Sequence, residues 1–571
     1  VIAAVDHIAR ARIAGSTMRL ESVLRVGAGM ILLGVMAVLI VMPLYALLSQ
    51  SLEDADKHFV GIDNFIRYAR NPGLVQSVYN SLFVSVIVTV ITIPLAFAYA
   101  YALMRSCIPA KAVFKGIALL PILAPSLLPA ISLTYMFGNQ GFIRGLLAGQ
   151  PIYGPIGIVM AQVFHCFPFG VLILTTALGI SDARLYEVAE TLSASKWRMF
   201  WTITFPAARY GLISACFVIF TTAIVDFGIA KVIGGSYNVL AIEVYKQIIG
   251  QQNFQMGAVI GVLLLVPALV TFAIERHANK RQISQLTVRA VLYRPRPDRT
   301  FDLTMLAFVL VVALCILGVN GVAIFASFVK LWPYDLSFSL GSYDFPAFDP
   351  GGWSSYWNSL IMASLAALFG TILTFSGAYL VEKTPISPIL RNPLHMLAMI
   401  PIAVPGIVLG LGYVFFFNAP NNPLGFVYYT MTILVLCSIA HYYTVPYLTA
   451  VTALKQVDRE FESASQALGV PFWVTLRRVT IPISIPVILD IATYIFVNAM
   501  TTVAAVIFIY SPENKLASIA VIAMEDTGDL GAACAMAMMI LYTSIAVKLA
   551  QTLLSKLLFV KLQQWRQPTA A

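Results

Sequence analysis

Residues 182–206 read DARLYEVAETLSASKWRMFWTITFP, and residues 458–482 read DREFESASQALGVPFWVTLRRVTIP. The stretches lie 276 positions apart and share Asp182/Asp458, Leu192/Leu468, Trp197/Trp473, Thr204/Thr480 and Pro206/Pro482. Upstream, His165, Ala177 and Leu178 recur at the same offset as His441, Ala453 and Leu454. Farther out the offset drifts. Asn80-Ser81-Leu82 returns as Asn358-Ser359-Leu360 and Tyr101 as Tyr379, both 278 positions on; Pro121 and Pro125 return as Pro401 and Pro405, 280 positions on. Trp, His and Pro repeated at one spacing mark an internal duplication.

What surrounds these stretches is apolar. Of 571 residues, 59% are hydrophobic and 11% charged, and the mean hydropathy is +0.85. A soluble domain carries about 25% charged residues, so lipid is the solvent here. Runs of spanning length lie near 27–49, 81–104, 116–137, 156–179, 210–232 and 257–275, then near 303–329, 359–381, 394–417, 427–450, 484–510 and 531–555. The polar stretch Val1 to Ser22 does not read as a cleaved signal, and Leu24 to Leu48 exceeds a signal's apolar core.

The pattern predicts an all-α transmembrane chain of twelve helices in two parallel six-helix repeats, residues 1–275 and 301–571. Between them, residues 276–300 hold Arg276, Lys280, Arg281, Arg289, Arg294, Arg296 and Arg299, with Pro295 and Pro297. That segment cannot span and reads as a basic cytoplasmic linker, which places both termini in the cytoplasm. Loops expected outside are acidic: residues 331–358 contain Asp335, Asp344 and Asp349 but no Lys or Arg. Six spans return the linker to its starting side, so the repeats are related by an axis along the membrane normal, with a pore on it.

Several classes are excluded. The net charge of +10 comes from residues flanking apolar runs, so nucleic acid is not an expected partner. The six cysteines are scattered, with no metal or disulfide spacing. No GxxxxGK[ST] phosphate loop, HExxH or Ser-His-Asp arrangement occurs. Asp226-Phe227-Gly228 matches a kinase triplet in letters only, at the end of an apolar span.

Within the paired loops, Leu185, Val188, Ala189 and Leu192 follow i, i+3, i+4, i+7 spacing, as do Phe461, Ala464, Ser465 and Leu468. Each predicts a short helix with one apolar stripe, opened by Asp182 or Asp458 as N-cap. Gly469 and Pro471 would end the second. The stripe has two readings: packing on the bilayer interface or the chain's own bundle, or docking into a partner's groove.

Both loops resemble the EAA motif of ABC-transporter permeases. Glu187, Ala189, Ile203 and Pro206 fall on motif positions in the first, with Ser193 in place of the glycine. Ala464, Gly469 and Pro482 do so in the second, with Glu462 one place early. The resemblance implies the type I ABC importer permease fold and assigns ATPase coupling to Glu187, Ala189, Leu192, Ser193, Pro206, Glu462, Ala464, Leu468, Gly469 and Pro482. It also implies two copies of a cytoplasmic ABC ATPase that carry the ATP and Mg, with no cofactor on this chain. A periplasmic substrate-binding protein and a place in the bacterial inner membrane, multi-pass, follow as well.

For substrate, the stretch from Asp226-Phe227-Gly228 through Tyr245-Lys246-Gln247 to Asn253-Phe254 is similar to 2-aminoethylphosphonate permeases, with ferric-iron permeases the alternative. A secondary transporter of major-facilitator type is the rival class, but it needs coupling charges in its spans and no paired loops. Polar residues inside the spans are the pore candidates: Asp226, His165, His441, Thr221, Thr222, Asn498, Thr501 and Thr502. For each, a packing role competes with lining a channel. For the two histidines the competing roles are one interhelical hydrogen bond each, or facing one another across the axis. Pro121, Pro125, Pro401 and Pro405 are expected to bend the third span of each half.

Overall fold

The computed structural model describes residues 22–180, 182–283, 293, 295–458 and 460–562. Among them, nine helices are long and apolar enough to cross a membrane, or twelve spans if each of three bent pairs counts as one. Residues 1–21 of the stretch Val1 to Ser22, and Arg289 and Arg294 of the expected linker, lie outside the described residues.

Seven of the twelve expected spans are single helices close to their expected places: Ser22–Ser51, Pro72–Arg105, Pro155–Gly179, Phe254–Ile274, Arg299–Ser327, Gly352–Lys383 and Leu530–Leu558. The sixth helix continues to Ile283, into the expected linker. The third and ninth spans break where the prolines stand. Lys111–Leu123 meets Leu127–Phe137 at 99°, and Pro388–Ala403 meets Gly406–Phe417 at 114°. A short 3-10 turn containing Pro121 or Pro401 leads into each break. The tenth span is also broken, by 55° between Met431–His441 and Thr444–Gln456, whereas its counterpart Pro155–Gly179 runs through Pro168 unbroken.

The fifth spans depart most from expectation. They occupy Lys196–Val225 and Phe472–Thr501, not 210–232 and 484–510. Charged Lys196 and Arg198 lower the hydropathy of a segment that is nevertheless helical. At the far end, Asp226 accepts a hydrogen bond from the Ile229 N–H (2.8 Å) and opens a new helix. The second half of each paired loop is therefore the first turns of a spanning helix. Both contain a π-turn, Phe200–Thr204 and Leu476–Thr480, just before Pro206 and Pro482. The residue preceding each proline donates to the carbonyl five back, Phe205 to Phe200 and Ile481 to Leu476. The wider turn accommodates a ring that would strike the carbonyl four back. The first span repeats the device at Ala37–Val41 before Pro43.

The halves interlock. The first span packs on the ninth, where the Tyr413 hydroxyl donates to the Leu39 carbonyl (3.0 Å) and a Cβ at Gly412 would lie 2.6 Å from the Pro43 carbonyl oxygen. In the mirrored arrangement the seventh span packs on the third. Between the halves, Lys231 also pairs with Asp526 (2.7 Å). Burial, together with neighbouring Asp526, pushes the Glu525 carboxyl up to about 7 from 4.5. Folding thus favours its neutral form, and this group withdraws stability as pH rises between those values.

The repeated Asn-Ser-Leu triplets have one job in both halves. Ser81 Oγ accepts from the Leu240 N–H (2.7 Å) and Ser359 Oγ from the Ala517 N–H (2.8 Å). Asn80 Nδ2 donates to the Asn238 carbonyl (2.8 Å) and Asn358 Nδ2 to that of Glu513 (2.9 Å). Each pair fastens the start of a short helix, Leu240–Tyr245 or Ala517–Asp526. Ser81→Ala and Ser359→Ala each leave a buried N–H unpaired, with an expected loss of about 1–3 kcal/mol. Thermal unfolding of the protein in detergent checks this; an unchanged midpoint in both variants contradicts it.

Candidate functional site

The helix breaks converge. A cavity of about 480 Å³ between the halves is walled by Ala124 and Ser126 of the third-span break, Val404 to Gly406 of the ninth, Tyr442 of the tenth, and Asp226, Phe227, Thr502 and Val503 at the ends of the fifth spans. All eight polar residues singled out in the sequence stand in its wall: His165, Thr221, Thr222 and Asp226 from the first half, His441, Asn498, Thr501 and Thr502 from the second. Many are also tied into the fold. Thr221 shares a hydrogen bond with Thr271 (2.7 Å), Asn498 donates to the Tyr494 carbonyl (2.8 Å), and Thr501 Oγ1 to that of Val497 (3.0 Å). The histidines differ: Nδ1 of each is buried without a hydrogen-bond partner. Tyr442 and Tyr494 also line the cavity, and sequence reading passed over them because tyrosines are common in spans. Among the described lining residues Asp226 is the one carboxylate, and no Lys or Arg occurs.

The loop helices are Ala183–Thr191 and Glu460–Ala467. Asp182 accepts from the Arg184 N–H (3.1 Å) and Asp458 from the Glu460 N–H (3.0 Å), as the N-cap expectation requires. Both end in one geometry. Ser193 (φ +53°) and Gly469 (φ +68°) are left-handed, and beyond them Ala194 N–H bonds the Ala189 carbonyl as Val470 N–H bonds that of Ser465, each at 2.9 Å. This is a Schellman-type stop.

The apolar stripe divides. Ala183, Tyr186 and Ala189 are buried, whereas Leu185, Val188 and Leu192 stand open, Leu192 at 76% exposure. In the second helix Phe461, Ala464 and Leu468 are exposed, Leu468 at 79%. The chain's own bundle therefore does not cover most of the stripe. Glu187 shares the open face. Ala189 and Glu462 turn inward instead, and Pro206 and Pro482 belong to the spanning helices, so these four of the expected coupling residues lie off the open face.

What holds the inner face was missed in the sequence. Arg105 and Lys383, 278 positions apart, end the second and eighth spans. Arg105 donates to the Leu178 carbonyl (3.1 Å) and lies 5.0 Å from the Tyr186 ring centre. Lys383 donates to the Val457 carbonyl (2.7 Å) and pairs with Glu462 (3.2 Å). Tyr186 and Glu462 are 276 positions apart, so one site on each loop helix is gripped by one site on a span, through a π face in one half and a carboxylate in the other. Among the described residues of the expected linker, two brace the first helix: Tyr293 packs on Tyr186 (ring centres 4.4 Å) and Arg296 pairs with Glu190 (2.6 Å).

A duplicated helical bundle that surrounds a polar cavity and carries two short helices with open apolar faces is the plan of a transporter permease. The chain belongs to the family of binding-protein-dependent transport system inner membrane components, whose model matches residues 91–284 and 366–560, more than half its length. Its fold is that of type I ABC importer permeases, with two fused EAA halves in the membrane. It is 28% identical over 78% of its length to the putative ferric transport system permease protein FbpB 1 of Haemophilus influenzae, covering 71% of that protein. It is 26% identical over 83% of its length to the ferric transport system permease protein FbpB of Actinobacillus pleuropneumoniae, covering 70% of it. A solved bacterial ABC transporter for alginate import aligns over 44% of this chain and 92% of its own, at 15% identity and TM-score 0.36.

Two predictions follow from the loop helices. Leu192→Asp and Leu468→Asp should each weaken co-purification with the cognate ATPase about tenfold or more, as loss of an interface anchor does. Normal co-purification in both contradicts docking through this face. Ser193→Gly should relieve about 1 kcal/mol of left-handed strain, and Gly469→Ala should impose a similar amount. Urea or thermal titration of the assembled complex reads the two opposite signs.

Proposed function

We propose that this chain is the channel subunit of an ATP-driven ferric-iron importer. A periplasmic binding protein delivers the ion to the outer mouth, and two copies of a separate ATPase grip Leu185, Val188 and Leu192 on one side and Phe461 and Leu468 on the other. ATP and Mg belong to those partners. Both termini face the cytoplasm in this reading. Residues 276–300 act as the inner linker between the halves 1–275 and 301–571. Exposed Phe59, Tyr334 and Phe338 on the outer loops suit a binding-protein contact.

The observation that carries the choice of cargo is the charge of the cavity wall. One carboxylate, two imidazoles and several hydroxyls offer lone pairs, and no described lining residue offers a cation. A phosphonate crossing this region would lack the Arg or Lys that anions need, whereas a metal ion meets acceptors. The ferric names of the relatives point the same way.

The resemblance to aminoethylphosphonate permeases lies mostly outside the cavity. Lys231 pairs with Asp526, Lys246 with Asn238 and Gln247 with Glu243. Only Asp226, Phe227 and Gly228 of that stretch reach the wall. Those residues speak for shared scaffold more than shared cargo.

Titrating the cognate binding protein with ferric ion and with 2-aminoethylphosphonate tests the cargo, together with uptake of each by cells with and without this chain. Iron binding and chain-dependent iron uptake are expected. Chain-dependent uptake of the phosphonate without iron uptake overturns the proposal.

A further inference from the structure

We propose that His165 and His441 form a paired transit site, passing the metal ion across the pseudo-two-fold axis through weak, exchangeable nitrogen bonds. The inference rests on the iron reading above.

The two rings occupy equivalent positions, 276 residues apart, and both stand in the cavity wall. Since Nδ1 is buried in each, Nε2 is the nitrogen left for the cavity. Packing leaves room for it in the second half: a Cβ on Gly406 would lie 3.1 Å from His441 Nε2. Such crowding explains a glycine in the break of the ninth span, at a position whose φ does not demand one.

Neither ring is built for storage. A histidine in a resident metal site has its second nitrogen fixed by a carboxylate or carbonyl, and here both second nitrogens lack any such partner. Asp226 is already engaged by the Ile229 N–H. Among the described residues the one set of three ligating groups close enough to chelate is Asp54, Asp56 and His58, in the loop after the first span. The described lining of the cavity therefore holds no preformed set of three such groups. Conduction calls for that arrangement: binding favourable enough to enter, and weak and multiple enough to leave.

Imidazole is an accepted ligand for iron. In each step a neutral ring donates its lone pair and displaces one ligand, water or a wall oxygen, from the ion; on departure that ligand returns. No electron moves, so the ion stays ferric, and no proton is released. Two such ligands on opposite halves let the ion be held by one side as the other lets go.

The test uses the intact transporter, this chain with its ATPases and its binding protein, in proteoliposomes. The binding protein is loaded with radioactive ferric ion, and iron accumulated per ATP hydrolysed is the readout. The double variant H165Q/H441Q keeps size and polarity but supplies poor ligands. The ratio is expected to fall about tenfold, the effect of a barrier raised by one lost ligand interaction. Single H165D and H441D variants, which restore a ligand of a different kind, should recover most of it. If the double variant fails to assemble, H165Q and H441Q singly give the same ratio. An unchanged ratio in the glutamine variants overturns the transit site. Failure of the unaltered transporter to accumulate iron at all overturns the cargo reading instead, so the two failures are distinguishable.

Discussion

Hydrocarbon gives a polypeptide backbone nothing to bond with, and the whole architecture answers to that constraint. Continuous helix is the default through the bilayer. Wherever this chain departs from it, at residues 124–126, 404–405, 226–227, 442–443 and 502–503, some of the irregular backbone faces the central cavity. The breaks and the cavity are thus one feature. Prolines at 121, 125, 401 and 405 open two of the breaks, and Asp226 secures a third by capping the helix beyond it. The eight polar side chains singled out in the sequence collect at the same place, where a cavity spares them contact with lipid.

Duplication supplies the frame, and the two copies have since diverged in how they are fastened. Asn80 and Ser81 hold a short helix much as Asn358 and Ser359 do. At the loop helices the same positions carry different chemistry. Arg105 meets the face of Tyr186, while Lys383 meets the carboxylate of Glu462. A buried ion pair binds tightly only when both charges remain; a cation over a ring depends less on a single partner. The linker adds Tyr293 and Arg296 to the first grip, so joining the halves into one chain did more than tether them.

Much of this was legible in the sequence. The repeat was visible in rare residues such as His165/His441 and Trp197/Trp473. The cavity wall was visible because Asp226, Thr222 and Asn498 are polar among apolar neighbours. The stop at Gly469 followed from its place after the second stripe, and Ser193 was marked by standing where the motif has its glycine. Span limits were less readable, because hydropathy does not separate helix from coil: residues 503–509 are apolar yet lie beyond the end of the eleventh span. The angles at the proline breaks depend on packing against the other half. Arg105 and Lys383 were hidden for another reason. A basic residue closing a span reads as an orientation signal, although their shared offset of 278 was available.

The wide turns ahead of Pro206 and Pro482 shift the register of the helices that contain them. Each holds one residue more than an α-turn, which sets the helix above out of phase with the helix below by about 100°. The fifth and eleventh helices therefore do not carry one continuous face from the loop helices to Thr222 and Asn498, which stand in the cavity wall beyond the turn.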